Sequence, residues 1–113
     1  MNTHGTGSPL GDAAEVAALA RAFGPDLRRP VLNATKGLVG HCLSAAGVLE
    51  AVAVIIQMRH GFVHPNVNLS EPLDRGCRFA GSGQADAVIS RALSASFGFG
   101  GINTCIALAD PRP

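Results

Sequence analysis

Apolar residues recur at helical spacing near the start of the chain. After Asp12, the apolar side chains Val16, Leu19 and Phe23 follow one another every three or four positions, and Gly24 is a natural stop. An amphipathic helix is therefore predicted between the aspartate and this glycine. The first nine residues are polar and glycine-rich, which predicts a loop before the helix.

A second apolar segment has no polar face. From His41 to about His60, hydrophobic residues lie on nearly every side of the helix that this segment would form, and Gly61 would end that helix. A helix of this kind is expected to be buried all round rather than amphipathic. Only one other convincing helix and a few strands are available to cover it. We therefore expect some of its neighbours to come from outside this chain.

Strand signals are concentrated near the end of the chain. The segments ALSASF (92–97) and NTCIALA (103–109) are joined by GFGGI, which predicts an antiparallel pair closed by a glycine turn. VLNA (31–34) predicts a short strand, and residues 61–77, with their prolines, predict an extended loop. The sum is one α/β domain over 1–113, with two helices and three or more strands.

Composition and charge argue against several classes of protein. The 113 residues carry a net charge of +1 without basic clusters, so no nucleic-acid-binding surface is expected. The longest apolar run, Leu43 to Met58, is short and interrupted, which predicts no membrane span, and no signal peptide is visible, so we expect a cytoplasmic protein. Cys42, Cys77 and Cys105 show no paired spacing, which predicts neither a disulfide framework nor a zinc site.

Two segments place ionisable side chains beside glycines. HGTGSP contains His4, Thr6 and Ser8, and its glycines would let a ligand approach backbone N–H groups. NATKGLVGHCLSAAG places Lys36 and His41 where the apolar helix is expected to begin, and a helix N-terminus favours an uncharged imidazole that donates one hydrogen bond. Taken alone, the first segment is also typical of a surface turn and the second of a helix cap.

Two further features suggest a site. Glu50 is the only acid within the apolar helix, and a buried acid needs a cation or several hydrogen bonds, for which Lys36 is the obvious candidate. The alternative is a glutamate that extends to solvent. In SFGFGGIN, Phe97 and Phe99 lie among glycines, where they would either cover a pocket or fill the core.

Neither metal chemistry nor a local thiol nucleophile is predicted. His60 and His64 are four positions apart, but a glycine and a proline interrupt any helix there, and no acid or thiol completes a set of ligands. Cys42 follows His41 directly. Side chains at adjacent helix positions point about 100° apart, so the histidine is poorly placed to act as base for this thiol.

Four segments together resemble one family. In their order and spacing, HGTGSPLGDAAE, NATKGLVGHCLSAAGVLEAV, PNVNLSEP and SASFGFGGINTCIAL are similar to the β-ketoacyl-acyl-carrier-protein synthases (ketosynthases) of the thiolase superfamily. The resemblance runs from residue 2 to about residue 109, and it covers only the C-terminal part of a longer family member. It implies the C-terminal part of a thiolase-like layered αβαβα fold that is incomplete without an N-terminal partner.

The resemblance also implies roles for individual residues. His4 and His41 match the two histidines of the family's Cys-His-His triad, Lys36 matches its buried lysine, and Glu50 matches the acid that pairs with that lysine. The residues implied to gate or line the substrate entrance are Phe99, Phe97, Thr6 and Ser8.

Some positions depart from the family pattern. The family nucleophile is a cysteine in the N-terminal half, and none of the three cysteines here matches it. Ser8 replaces a threonine, Gly11 replaces an asparagine, and Ile102 replaces a threonine, but none of these changes removes a catalytic side chain.

The resemblance therefore implies one subunit of a split ketosynthase, whose N-terminal partner chain carries the nucleophilic cysteine in a hetero-oligomer. The pair would perform decarboxylative Claisen condensation of malonyl-carrier protein with an acyl thioester in fatty acid or polyketide synthesis. Substrates would arrive on the phosphopantetheine of an acyl carrier protein, and no cofactor is implied. The alternatives are a non-catalytic partner subunit of the chain-length-factor type and an inert fragment.

Overall fold

The computed structural model describes residues 1–111. The helices are α1 (Pro9–Phe23), α2 (Lys36–Val39) and α3 (Ala46–His60). Single 3₁₀ turns lie at Gly24–Asp26 and Leu43–Ala45. The strands are β1 (Val31–Leu32), β2 (Phe62–Val63), β3 (Arg78–Phe79), β4 (Ala85–Asp86), β5 (Arg91–Gly98) and β6 (Ile102–Ala109).

The C-terminal hairpin was predicted correctly. β5 and β6 pair antiparallel over their whole length, with Arg91 opposite Ala109 and Gly98 opposite Ile102. The turn between them places two successive glycines at φ of +83°, a conformation that side chains with a Cβ rarely adopt. The segment 61–77 is irregular apart from β2, as expected.

A loop was predicted for the first nine residues, but residues 1–3 pair with the strands. β1 pairs in parallel with β3. Asn2 bridges Asn33 on one side and Ser94 on the other, both in parallel. Its N–H donates to the Leu93 carbonyl at 2.8 Å. Residues 1–3 thus fill the gap between β1 and β5, and backbone pairing runs from β3 through β1 and this segment to β5 and β6.

Both helix starts differ from the prediction. α1 begins at Pro9 rather than at Asp12, because proline's fixed φ suits the first helical position and its missing N–H needs no partner there. The helix expected from His41 begins at Ala46 instead. The chain from His41 to Ala46 cannot be a continuous right-handed helix, since Leu43 has a φ of +50°.

Helix α3 is not buried on all sides within the described residues. Glu50 and Val54 are 2% and 4% exposed, whereas Val48 and Val52 on the other faces are 68% and 46% exposed. We call this exposed apolar surface the open face of α3; it also includes Ile55 and Ile56. No element of the part of the chain described here covers it, in keeping with the expectation of neighbours from outside.

One segment, Leu43–His60, is apolar and long enough to meet the length and composition test for a membrane-crossing helix, which core helices of layered proteins also meet. Glu50 lies in the middle of it, buried and paired with a lysine. We therefore describe it as a core helix. A cluster of buried apolar side chains in the described chain is formed by Leu19, Leu32 and Cys77.

Candidate active site

A lysine links a carboxylate to a histidine. Lys36 Nζ donates to Glu50 Oε1 and lies 3.2 Å from His4 Nδ1. Lys36 is 8% exposed and Glu50 is 2% exposed. Two charges this deep are tolerable only when they are paired, because each alone would carry a large desolvation penalty. The structure thus brings together the lone acid of the apolar helix and the cation expected to neutralise it.

The same lysine determines which nitrogen of His4 carries the proton. An ammonium group has donors and no acceptor, so His4 Nδ1 accepts from it and the proton of the neutral ring lies on Nε2. The pKa of His4 is lowered from its ordinary value, first by partial burial and then by the positive charge of Lys36, while Glu50 opposes the shift. His4 is therefore an uncharged ring that offers Nε2–H as a donor.

His41 reaches an equivalent state by another route. It lies in the turn before α3, not at the start of a long helix as predicted, and its Nδ1 accepts a hydrogen bond from the Leu43 N–H at 3.1 Å. The proton of the ring therefore lies on Nε2. Leu43 holds a left-handed φ of +50° to make this contact, a conformation that costs a non-glycine residue about 1–3 kcal/mol.

The two imidazoles are close neighbours. Their ring centroids are 5.6 Å apart and the ring planes are nearly perpendicular, at 86°. Phe97, at the end of β5, packs its ring against His4 with a centroid distance of 5.4 Å. Phe99 is fully exposed in the turn beyond and does not cover the histidines. Of the two phenylalanines considered from the sequence, the structure brings only the first to the site.

The loop that follows His4 lies open to solvent. Thr6 and Ser8 are exposed, and their hydroxyl oxygens are 3.0 Å apart. A cavity of about 570 Å³ lies between this loop, α1 and the chain around residues 66–73, and Lys36 and His41 contribute to its lining. Through Thr6 and His41, this lining offers a hydroxyl group and an imidazole to a ligand.

Glu15 is a site residue that the sequence pattern did not single out. Its two carboxylate oxygens accept from the N–H groups of His4 and Gly5, at 2.8 and 2.9 Å, and the residue is only 6% exposed. An acid beside Val16 on the inward side of α1 was the available signal, because a buried carboxylate requires donors. The glycine-rich loop had suggested that its N–H groups would be free for a ligand. The N–H groups of His4 and Gly5 are instead engaged by Glu15.

The remaining histidines and cysteines lie elsewhere. His60 is exposed at the end of α3, whereas His64 is buried with both ring nitrogens in hydrogen bonds. Cys77 is buried, Cys105 is exposed on β6, and Cys42 directs its thiol at backbone carbonyls. Burial also raises the pKa of Cys77, the reverse of what a reactive thiol needs.

Comparison with known proteins agrees with this geometry. The family model described as "Beta-ketoacyl synthase, C-terminal domain" matches residues 1–70. The chain is 41% identical to the polyketide biosynthesis malonyl-ACP decarboxylase of Bacillus subtilis, over 96% of this chain and 25% of that protein. It is 39% identical to 3-oxoacyl-[acyl-carrier-protein] synthase 1 of Escherichia coli K12, over 96% of this chain and 26% of that one.

Solved structures extend the likeness to three dimensions. A ketosynthase from a type II polyketide synthase, solved with its acyl carrier protein and bound to the hexaketide, superposes with a TM-score of 0.88 at 29% identity, covering 96% of this chain and 27% of that chain. The prediction of a thiolase-like α/β fold, present here as its C-terminal part, is confirmed. The chain spans about a quarter of the length of the curated relatives it matches.

Proposed function

Because the chain belongs to the β-ketoacyl synthase family, as the C-terminal domain of the ketosynthases of fatty acid and polyketide synthesis, we propose that it supplies His4, His41 and Lys36 to a decarboxylative Claisen condensation. In that reaction a malonyl-carrier protein condenses with an acyl thioester. The observation that carries the proposal is the pair of adjacent imidazoles, each with Nδ1 engaged as an acceptor and Nε2–H left to donate.

The chemistry requires two such donors. When a malonyl thioester loses CO₂, the electron pair of the broken C–C bond moves into an enolate whose negative charge lies largely on the thioester oxygen. Donors that are already oriented towards that oxygen stabilise the charge without reorganisation, and losing one such donor costs about 10²–10³-fold in rate. The contacts of Nδ1 with Lys36 and with the Leu43 N–H leave the Nε2–H groups of His4 and His41 to serve as these donors.

Lys36 acts by holding and charging the site rather than by moving a proton. Its ammonium group is paired with Glu50 and His4, and an ammonium group has donors but no acceptor, so it has no lone pair with which to take up a substrate proton. Partial burial lowers the pKa of His4 and the positive charge of Lys36 lowers it further, which favours the neutral ring with its Nε2–H donor.

The complete enzyme needs groups from elsewhere. We assign the nucleophilic cysteine to an N-terminal ketosynthase-like chain that covers the open face of α3, and the assembly to a cytoplasmic hetero-oligomer. An acyl carrier protein would present the substrates on phosphopantetheine, with Thr6 and Ser8 as hydroxyl partners for its amides. Phe99 would gate the entrance and Phe97 line the acyl pocket. The support is the uncovered apolar surface and the solved ketosynthase complex with its carrier protein.

A second candidate is decarboxylation without condensation. The relative from Bacillus subtilis is named a malonyl-ACP decarboxylase, and the enolate-stabilising pair described here suffices for that half of the chemistry. A non-catalytic chain-length-factor-type subunit remains the alternative outside catalysis, and the presence of both histidines and the lysine speaks against it.

Co-expression with an N-terminal ketosynthase-like chain tests the proposal. Purified complex is given malonyl- and acyl-carrier protein, and release of CO₂ and formation of the β-ketoacyl product are measured separately. We expect both, and loss of both in His4→Ala and His41→Ala variants, with His60→Ala as the matched control. Release of CO₂ alone would support the second candidate. A stable complex in which the histidine variants turn over normally would contradict both.

A further inference from the structure

Behind the site lies a cluster of buried polar side chains that the proposed mechanism does not use. Asn2, Asn33, Thr35, Gln57 and His64 are between 1% and 6% exposed. Burying polar groups at this depth is unfavourable unless each one finds hydrogen-bond partners. We call these five residues the inner network.

His64 is fixed within this network at three points. Its Nδ1 lies 3.0 Å from the Pro65 carbonyl oxygen. Its Nε2 lies 3.0 Å from Thr35 Oγ1, and because that hydroxyl gives its single proton to Asn2 Oδ1, Nε2–H is the donor in this contact. Its backbone N–H donates to Gln57 Oε1 at 3.0 Å, and Asn33 Nδ2 donates to the same oxygen at 2.8 Å. The ring therefore has one position and one orientation.

Thr35 connects this ring to both segments that carry the site. It directly precedes Lys36, and its N–H and its Oγ1 lie 3.0 and 2.8 Å from Asn2 Oδ1. Asn2 stands two residues before His4. Beyond residue 3 the backbone pairing between the two segments ends, and Gly5 approaches Ala34 so closely that a Cβ added to this glycine would lie 2.8 Å from the alanine Cβ. At this point, side-chain contacts take over the alignment of the two segments.

We propose that His64 is a positioning residue for the active site: by holding Thr35 against Asn2, it keeps the Lys36 ammonium group within hydrogen-bond distance of His4 Nδ1. That contact measures 3.2 Å, at the long end of the range for nitrogen donors, so a shift of a few tenths of an ångström between the two segments breaks it. His64 touches neither imidazole of the pair and acts through the threonine.

The consequence appears at His4. The charged or titratable groups that act on this ring are Lys36, Glu50, His41 and Asp12, and the lysine is the strongest of them. If Lys36 moves away, the pKa of His4 rises and its Nδ1 loses a donor. The proposal rests on the proposed function only in naming this the active site. Its test measures the pKa and the tautomer of His4 and needs no catalytic turnover. Failure of the condensation assay and failure of this proposal are therefore separate results.

The test is an NMR titration of the four histidines in the full chain, with ¹⁵N shifts to report the His4 tautomer. We compare His64→Phe with His64→Gln, whose side-chain amide can still bond the Thr35 hydroxyl, and Thr35→Val with Thr35→Ser. The controls are His60→Phe and Thr104→Val at exposed positions. We expect the His4 pKa to rise in His64→Phe and in Thr35→Val, and to stay unchanged in the Gln and Ser variants and in both controls.

A merely structural role for His64 gives a different pattern. The unfolding midpoint would then fall in His64→Phe and Thr35→Val while the His4 pKa and tautomer stay as they are, and that result overturns the proposal. If His64→Phe does not fold, Thr35→Val decides alone, because valine keeps the shape of threonine and removes only the hydroxyl.

Discussion

Replacing one member of the Lys36–Glu50 pair should destabilise the chain far more than replacing both. Lys36→Met leaves a carboxylate that is 2% exposed without its cation, and its second oxygen, Oε2, already has no partner among the described residues. Removing one partner of a buried pair costs about 3–5 kcal/mol. At about 4 °C per kcal/mol for a domain of this size, the unfolding midpoint should fall by roughly 12–20 °C.

The double substitution carries the distinctive expectation. Lys36→Met with Glu50→Leu removes both charges, and replacing a buried pair with apolar groups is often neutral or stabilising. Urea unfolding of the chain, both single variants and the double variant gives the coupling free energy of the pair. The exposed pair Arg29–Asp26, at 3.7 Å, is the matched control, and Arg29→Met should cost no more than about 1 kcal/mol.

Additive costs in the double variant would refute this reasoning. So would single variants that behave like the exposed control, since the two charges would then be solvated in solution rather than dependent on each other. The same variants also report on the site, because Lys36→Met removes the cation that lowers the pKa of His4 and leaves Glu50, which raises it. An upward shift of the His4 pKa is therefore expected in that variant.

Two further predictions concern the histidines and the turn between them. Because the pKa of His4 is lower in the folded chain than its ordinary value of about 6.5, the unfolded state takes up the proton first, and stability is lost as pH falls below that value. Between pH 8 and pH 5, the unfolding midpoint of His4→Gln should therefore fall less than that of the unsubstituted chain. An equal fall in the two proteins would contradict the assignment. Leu43→Gly relieves a left-handed φ at a residue that is 73% exposed, so we expect unchanged or higher stability by thermal unfolding. The control is Ala17→Gly at an exposed position within α1, which should cost about 1 kcal/mol. A loss in the first variant as large as in the second would show that Leu43 is not strained.

The elements that sequence predicts well are those whose signal is local. The hairpin β5–β6 combines two long strands with a glycine turn, so pattern and turn chemistry agree. β2, β3 and β4 have two residues each and no periodicity to detect. The start of α3 was misplaced because Leu43 adopts a left-handed conformation that no propensity for leucine indicates.

The contacts of the site also differ in how far the sequence predicts them. Lys36 and Glu50 could be paired from the sequence because a lone acid in an apolar helix requires a cation. The contact of Glu15 with two backbone N–H groups could not be predicted from the sequence, since backbone N–H groups carry no sequence signature. The approach of His4 to His41 depends on how residues 1–3 enter the sheet, and this is a property of the whole fold rather than of either motif.

Helix α3 carries the open face on one side and Glu50 on the other. One rigid element therefore joins the surface where a partner would dock to the carboxylate that holds Lys36. If docking shifts this helix along its axis, the charge balance at His4 changes with it. Binding and protonation then become thermodynamically linked, and any preference of the partner for one protonation state of His4 must appear as an equal dependence of its affinity on pH.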